Sequence, residues 1–315
     1  MKALYLKEED IETLVTVPEV IDALDTAFRE QATGHAWNNP RSRLRVPGGA
    51  LHLMAGAIPG YFGYKAYTVG GSTKFFFFLF SSQTTELLAL IEADALGQKR
   101  TGAATGLATR VLANGDATEA TLFGAGWQAQ TQLLAMDAVR KLKRVYIVNK
   151  RPERRDEFIK KMQPQVKAEL VAAKSAEQAV ASSQIVTTIT SSREPVLKGQ
   201  WLQPGAHINA AGGNMLVRRE FDDDVVLRSN RIVVDSLEQC KIEAGEFVAA
   251  IDTGKRHWED FAELREVVAG YKPGRISASD ITVLKSGGIA MEDVAIGKLV
   301  YERAMERGMG RNLDI

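Results

Sequence analysis

Apolar residues first recur at helical spacing. Val20, Ile21, Leu24 and Phe28 fall on one face after Val17-Pro18, and Gly34 offers a stop, so residues 8–33 read as two helices. From Arg41 to Ile91 the period changes. Arg43, Val46, Leu51, Leu53, Tyr64, Tyr67, the Phe75–Phe80 run and Leu87–Ile91 are broken by Pro47-Gly48-Gly49, Pro59-Gly60 and Gly70-Gly71. This predicts a meandering, mainly antiparallel sheet. The phenylalanine run has no polar alternation, which predicts a strand covered on both faces or pressed against a second subunit. Ala93–Leu112 reads as a long helix rich in small residues (Gly102, Ala103, Ala104, Gly106, Ala108), able to approach another backbone or a ligand closely.

The second half of the chain alternates short apolar strands with helical stretches. Strands are predicted at Ala120–Phe123, Val145–Val148, Glu169–Ala172, Ile185–Ile189, His207–Ala210, Ile232–Asp235 and Ile281–Leu284. Helices are predicted from Trp127, over Glu153–Met162 and Ala176–Ala181, and around Phe261–Val268. That alternation implies an α/β fold with a doubly wound parallel sheet. A last helix, residues 288–307, is long enough to return to the first domain. The expected division is 1–115 with 289–315 as one domain, of α+β character, and 116–288 as the other.

The strand ending at Phe123 is followed by Gly124-Ala125-Gly126-Trp127-Gln128-Ala129, a G-x-G-x-x-A turn opening a helix inside a unit of about 30 residues. Gly124 allows the sharp turn, Gly126 lets a pyrophosphate approach the backbone, and Ala129 lets helix and strand pack closely. The helix N-terminus presents N–H groups and a positive dipole. Twenty residues beyond Ala129, where an acid would hold the ribose 2′-hydroxyl of NAD, stands Asn149, followed by Lys150 and Arg151. An amide and two cations suit a 2′-phosphate, so the expectation is NADP(H) preferred, with NAD(H) possible. Thr188, Ser191, Asn209, Ser286 and Gly287 are placed in loops at strand C-terminal ends, where such sheets bind ligands. Thr101 joins this cofactor set.

Composition narrows the classes. The chain has 315 residues, 45% hydrophobic and 25% charged, with a net charge of +1, which gives no electrostatic footprint for nucleic acid or an anionic membrane. No apolar run reaches membrane-spanning length. One cysteine, Cys240, and an N-terminus without an apolar core predict a cytoplasmic protein. The four histidines are scattered without metal-ligand spacing, so no metal is expected.

Eight blocks in order carry a resemblance over nearly the whole chain: HLMAG at His52–Gly56, the Lys65 strand, ALIEADALGQKRTGAATG at Ala89–Gly106, GAGWQAQTQLL at Gly124–Leu134, TSSREPVL at Thr190–Leu197, GAHINAAG at Gly205–Gly212, VVDSLEQ at Val233–Gln239 and LKSGGIAMEDVA at Leu284–Ala295. The chain resembles the ornithine cyclodeaminase/mu-crystallin family. The resemblance implies a homodimer, a Rossmann domain for NAD(P), and a smaller domain that binds a small amino or imino acid and dimerises. It places the substrate-carboxylate set on Arg41, Lys65 and Arg100, with Arg43 and Arg45 as nearby alternatives to Arg41. A planar guanidinium and a point ammonium suit a carboxylate on physical grounds as well.

Two positions depart from the family's cyclodeaminases. Where those carry acids, this chain has His52 and Asn214. An amino group leaving by cyclisation then lacks its acid/base partner. The expected activity is therefore NAD(P)H-dependent oxidoreduction at a C=N or CH–NH bond next to a carboxylate, as in a cyclic ketimine reductase such as pyrroline-2-carboxylate reductase, or an alanine dehydrogenase. The alternatives are a redox-neutral cyclodeaminase with bound NAD and a non-enzymatic binding protein. Lys65 or His52 supplies or stabilises the proton. Asp293 reads as a helix-turn residue rather than a ligand.

Overall fold

A computed structural model describes residues 2–71 and 73–314. The chain begins with strand β1 (Lys2–Leu6) and helices α1 (Glu8–Leu14) and α2 (Val17–Ala32). Thr16 forms a capping box with Glu19 at the start of α2, and its buried stripe is Val17, Val20, Ile21, Leu24 and Phe28. Strands β2 (Trp37–Asn38), β3 (Ser42–Val46), β4 (Gly49–Ile58), β5 (Tyr61–Gly70), β6 (Phe75–Ser81) and β7 (Leu87–Glu92) follow, then helix α3 (Asp94–Leu112).

The second set is β8 (Glu119–Phe123), α4 (Trp127–Val139), β9 (Arg144–Val148), α5 (Pro152–Met162), β10 (Glu169–Ala172), α6 (Ala176–Ala181), β11 (Ile185–Thr188), β12 (His207–Ala210), α7 (Asp223–Arg228), β13 (Arg231–Val234), α8 (Leu237–Glu243), α9 (Val248–Asp252), β14 (Ala262–Glu263), α10 (Leu264–Val268) and β15 (Thr282–Lys285). The chain closes with α11 (Ala290–Arg307) and β16 (Arg311–Asp314).

The chain packs as two units, Met1–Arg100 with Ile289–Ile315, and Thr101–Gly288. Their boundary lies inside α3, not in the loop near residue 116. The physical reason is that the second half of α3 bonds to the second unit: Thr105 donates to Gln132 at 2.6 Å, and Thr109 accepts from Asn209 at 2.9 Å.

The first unit is a sheet in the order β16-β1-β7-β6-β5-β4-β2, with β3 also paired to β4. Neighbours from β2 to β7 are antiparallel; β1 joins β7 in parallel and β16 antiparallel. Helices cover one face, where Met54, Lys65, Phe77, Leu79 and Ile91 are buried. On the other face Tyr64 stacks on Phe78 at 4.6 Å and Phe62 on Phe80 at 5.2 Å, and these rings stay half-buried. The phenylalanine run is thus covered on one face only within the chain.

The second unit is an all-parallel sheet in the order β10-β9-β8-β11-β12-β15-β13-β14. The chain runs outward from β8 through β9 to β10, then returns to β11 on the other side of β8. That reversal opens a crevice at the C-terminal ends of β8 and β11.

Candidate active site

The glycine turn sits at this reversal. Gly124 has φ +116°, and a Cβ there would lie 2.5 Å from the Ile189 carbonyl oxygen, so only glycine fits the turn between the ends of β8 and β11. A Cβ on Gly126 would meet nothing within 4 Å, which leaves open space over the backbone. Helix α4 starts here with no side-chain cap on its N–H groups and no acid in its first turn. Ala129, in the first turn of the helix, is fully buried, and Trp127 is 43% exposed beside the glycine turn. Gln128 is half-buried next to it. This is the geometry that holds a pyrophosphate.

Beyond β9, the Asn149 carboxamide accepts from the Arg151 amide at 2.9 Å, which shapes the entry to α5. Lys150 and Arg151 project into solvent. Thr101 lies at the start of this unit, and its carbonyl accepts from Gln132 at 3.2 Å.

Three of the residues expected in ligand loops, Thr188, Asn209 and Ser286, have protein partners. Thr188 is the last residue of β11, fully buried, and its hydroxyl donates to Glu220 at 3.0 Å. Asn209 lies within β12, also fully buried; its amide bonds to Thr109, Thr187 and His207. Ser286 follows β15, and its hydroxyl donates to Asp235 at 3.0 Å. The hydroxyls and the amide satisfy neighbouring buried polar groups, as a close-packed sheet end requires. Ser191 remains exposed in the loop after β11, and Gly287 is half-buried after β15. Sequence reading missed Glu220. Its carboxylate accepts from Thr188, from the Thr190 amide and hydroxyl, and from the Gly212 amide at 2.7 Å, tying together the loops that follow β11 and β12.

The first unit holds the charged set. Lys65 lies mid-strand in β5 and is 3% exposed. Its ammonium donates to Asp293 Oδ1 at 2.7 Å. Arg100, on α3, donates through Nη1 to Glu292 Oε2 at 2.9 Å, and its Nε lies 3.3 Å from Asp293 Oδ1. Asp293 is therefore both a first-turn residue of α11 and the counter-ion of both cations. Acids are common in first helical turns, so neither Glu292 nor Asp293 stands out in the sequence. The helix is held to the sheet by two devices. Gly56 leaves room where a Cβ would lie 2.7 Å from the Met291 amide nitrogen. Asn38 on β2 caps α11 from outside, its Oδ1 accepting from Ala290 at 2.7 Å.

Burial pushes the Lys65 ammonium down from 10.5 to about 8; Asp293 opposes the shift, and Arg100 and Arg41 add to it. Arg41 is buried just before β3. His52 on β4 is 7% exposed, with Nδ1 2.8 Å from the Tyr67 hydroxyl. Burial, then Arg43, Arg41 and Arg45, hold its imidazole at about 4, so it is neutral at physiological pH. A neutral imidazole is not a proton reservoir near pH 7, which separates His52 from Lys65 as proton donor.

No helix among the described residues is long and apolar enough to cross a membrane, and no three His, Cys, Asp or Glu side chains among them form a metal-holding group.

The chain combines a doubly wound sheet that has a glycine turn at its reversal with a second unit that holds a buried cation–carboxylate set, which defines a two-unit dinucleotide-binding α/β protein. The chain belongs to the ornithine cyclodeaminase/mu-crystallin family, whose model matches residues 1–308. An alanine dehydrogenase of Archaeoglobus fulgidus is 34% identical over 99% of this chain and 98% of its own length. The structure of Thermococcus litoralis Δ1-pyrroline-2-carboxylate reductase in complex with NADH and L-proline matches with a TM-score of 0.93 at 34% identity, covering 98% of this chain and all of that one. An archaeal alanine dehydrogenase dimer with bound NAD matches with a TM-score of 0.94 at 32% identity over the full length of both chains.

Proposed function

We propose that this protein is an NAD(P)H-dependent oxidoreductase acting on the C=N or CH–NH bond of a small imino or amino acid. The observation that carries the reading is the buried Lys65–Asp293–Arg100–Glu292 set. It gives two buried cations, one in the sheet and one on α3, carboxylate partners, and burial brings the Lys65 ammonium down to about 8. Relatives across the full length reduce or oxidise such bonds, as their names state.

The residues divide the work as follows. Arg100, its plane fixed by Glu292 and Asp293, and Arg41 receive the substrate carboxylate. An ammonium has three N–H donors, and Asp293 takes one from Lys65. Lys65 orients the substrate; in reduction it gives its proton to the imine nitrogen, and in oxidation the neutral amine takes that proton back. His52 stays neutral and donates or accepts hydrogen bonds beside Tyr67. Gly124, Gly126 and the α4 N-terminus hold the dinucleotide pyrophosphate. When bound, the nicotinamide supplies or takes the hydride. A cyclodeaminase reaction is the weaker reading, because neutral His52 and the amide of Asn214 replace the acids that the elimination uses.

A screen of NADPH and NADH oxidation over cyclic imino acids, and over 2-oxo acids with ammonium, tests this. Stoichiometric oxidation is expected. Ammonia release from a diamino acid without any absorbance change would reverse the assignment. The cofactor is NADPH in this proposal, on the strength of exposed Lys150 and Arg151 and the absence of an acid at Asn149. Asn149→Asp is expected to shift the NADPH/NADH ratio of kcat/KM toward NADH by about tenfold or more. A wild-type KM for NADH at or below that for NADPH refutes the preference.

We also propose a homodimer through the uncovered sheet face of Phe62, Tyr64, Phe78 and Phe80, whose rings are half-buried in the single chain. Light scattering is expected to give twice the chain mass; a monomer in dilute solution overturns it. Cys240 is free and buried, which fits a reducing, cytoplasmic setting.

A further inference from the structure

The parallel sheet leaves a cleft of about 440 Å³ at the start of β13. It forms because β14 is short. That strand pairs only with Val233 and Val234, so no strand among the described residues runs beside the outer edge of Arg231 and Ile232. Ile232, Phe261 and Pro273 give the cleft apolar surface, and charges of both signs line it as well. Most of these charges are committed. Arg256 donates through Nη2 to the Val226, Leu227 and Ser229 carbonyls, closing the end of α7. Lys272 Nζ lies 3.0 Å from Glu266. Asp260 accepts from the His257 amide at 2.9 Å. Arg231 differs. Its Nε is buried and has no hydrogen-bond partner among the described residues. Asp280, the acid that feels its charge, turns Oδ2 to the Ile276 and Ser277 amides at 2.9 and 3.0 Å. Arg140 and Arg275 in the same unit are, by contrast, well supplied with backbone carbonyls. A buried donor left unpaired is costly and rare, and a ligand that pairs it removes the cost.

We propose that this cleft is a second binding site, apart from the reaction site, for a zwitterionic α-amino acid with an apolar side chain. The half-buried Arg231 receives the carboxylate, for which a guanidinium is a planar two-pronged donor. Glu259, an exposed acid of the same lining, receives the ammonium. The apolar surface takes the side chain. The mixed signs of the lining select this ligand over its rivals. A phosphate dianion would meet Glu259 and Asp260 as well as Arg231, and a bare amine would meet Arg231. The volume falls within the range of about 300–1,000 Å³ usual for small-molecule sites. Arg231 opens β13, whereas the glycine turn stands at the C-terminal ends of the parallel strands, so the cleft lies at the other end of the sheet. It holds whether or not the redox chemistry proposed above is correct.

Isothermal titration of the full-length protein with L-leucine is the test, beside 4-methylpentanoate, which lacks the amine, 3-methylbutylamine, which lacks the carboxylate, and inorganic phosphate. L-Leucine is expected to bind, and Arg231→Met to weaken one site by about tenfold or more, with Arg231→Lys restoring part of the loss. Lys65→Met, altered in the reaction site, is expected to keep the site that Arg231→Met loses. Glu259→Gln is expected to weaken L-leucine and to leave 4-methylpentanoate unchanged. Melting temperatures near wild type report that the variants are folded, and the exposed Glu259 carries the test should Arg231→Met not fold. No binding of L-leucine to the wild type, or titrations that are the same in wild type, Arg231→Met and Glu259→Gln, overturn the site. Binding of 4-methylpentanoate or phosphate as tight as that of L-leucine at the Arg231 site overturns the amino-acid class.

Discussion

Replacing Lys65 with methionine is expected to lower kcat for imine reduction by about 10³-fold while the chain remains folded. Methionine fills similar space without the ammonium, so the loss isolates the charge and the proton. The cost to stability is limited, because the variant leaves Asp293 beside Arg100. The wild-type pH profile carries the same argument. Lys65 titrates at about 8, below its ordinary 10.5. If the protonated ammonium is the donor, kcat/KM for reduction falls as pH rises through about 8, and the oxidative direction gains over the same window. Asp293 raises the Lys65 value, so Asp293→Asn moves the fall to lower pH. Asp293→Ala goes further: it strips two buried cations of their shared counter-ion and costs about 3–5 kcal/mol of stability. A pH-independent kcat/KM from pH 6 to 10, or a Lys65→Met enzyme within about tenfold of wild type, removes Lys65 from the chemistry.

Gly124→Ala is the second large effect. The residue has φ +116°, where an L side chain is strained, and the added Cβ would meet the Ile189 carbonyl at 2.5 Å. Both penalties act on the turn from β8 into α4, which passes against the end of β11, and together they cost about 3 kcal/mol. Dinucleotide affinity is expected to fall by about 100-fold, since the backbone N–H groups lose their alignment. Gly126→Ala separates the two consequences. Its Cβ has space, so thermal stability stays near wild type, while the methyl group enters the path of the pyrophosphate and weakens binding. Isothermal titration with NADPH and NADH, beside thermal melts, checks both variants. Unchanged nucleotide affinity in both would place the cofactor elsewhere.

Much of this site is legible in the sequence because its parts are local. A G-x-G-x-x-A turn between strand and helix is a short-range geometric demand, and the structure places Gly124 at the reversal of the sheet. Lys65 and Arg100 stand out as cations inside apolar or small-residue stretches. The partners of Thr188, Asn209 and Ser286 are not legible in the sequence. Polar residues near strand ends look alike whether they face a ligand or a neighbour, and here their side chains bond to Glu220, Thr109 and Asp235. Glu220 itself gives no signal, since its partners lie 8 to 32 residues away in the chain.

By itself, the sequence determined the periodicities: helical stripes, alternating strands, the doubly wound half and the glycine turn. Each depends on spacing over a few residues, which fixes which side of an element faces inward. Only tertiary structure decided which distant segments meet. The first and last strands, KALYL and RNLD, carry no pattern of their own and are defined by pairing with each other and with β7. Asp293 becomes the partner of Lys65 across 228 residues of chain. A buried ammonium is stable only where a counter-ion reaches it, and helix α11, set against β4 and β5, brings one there.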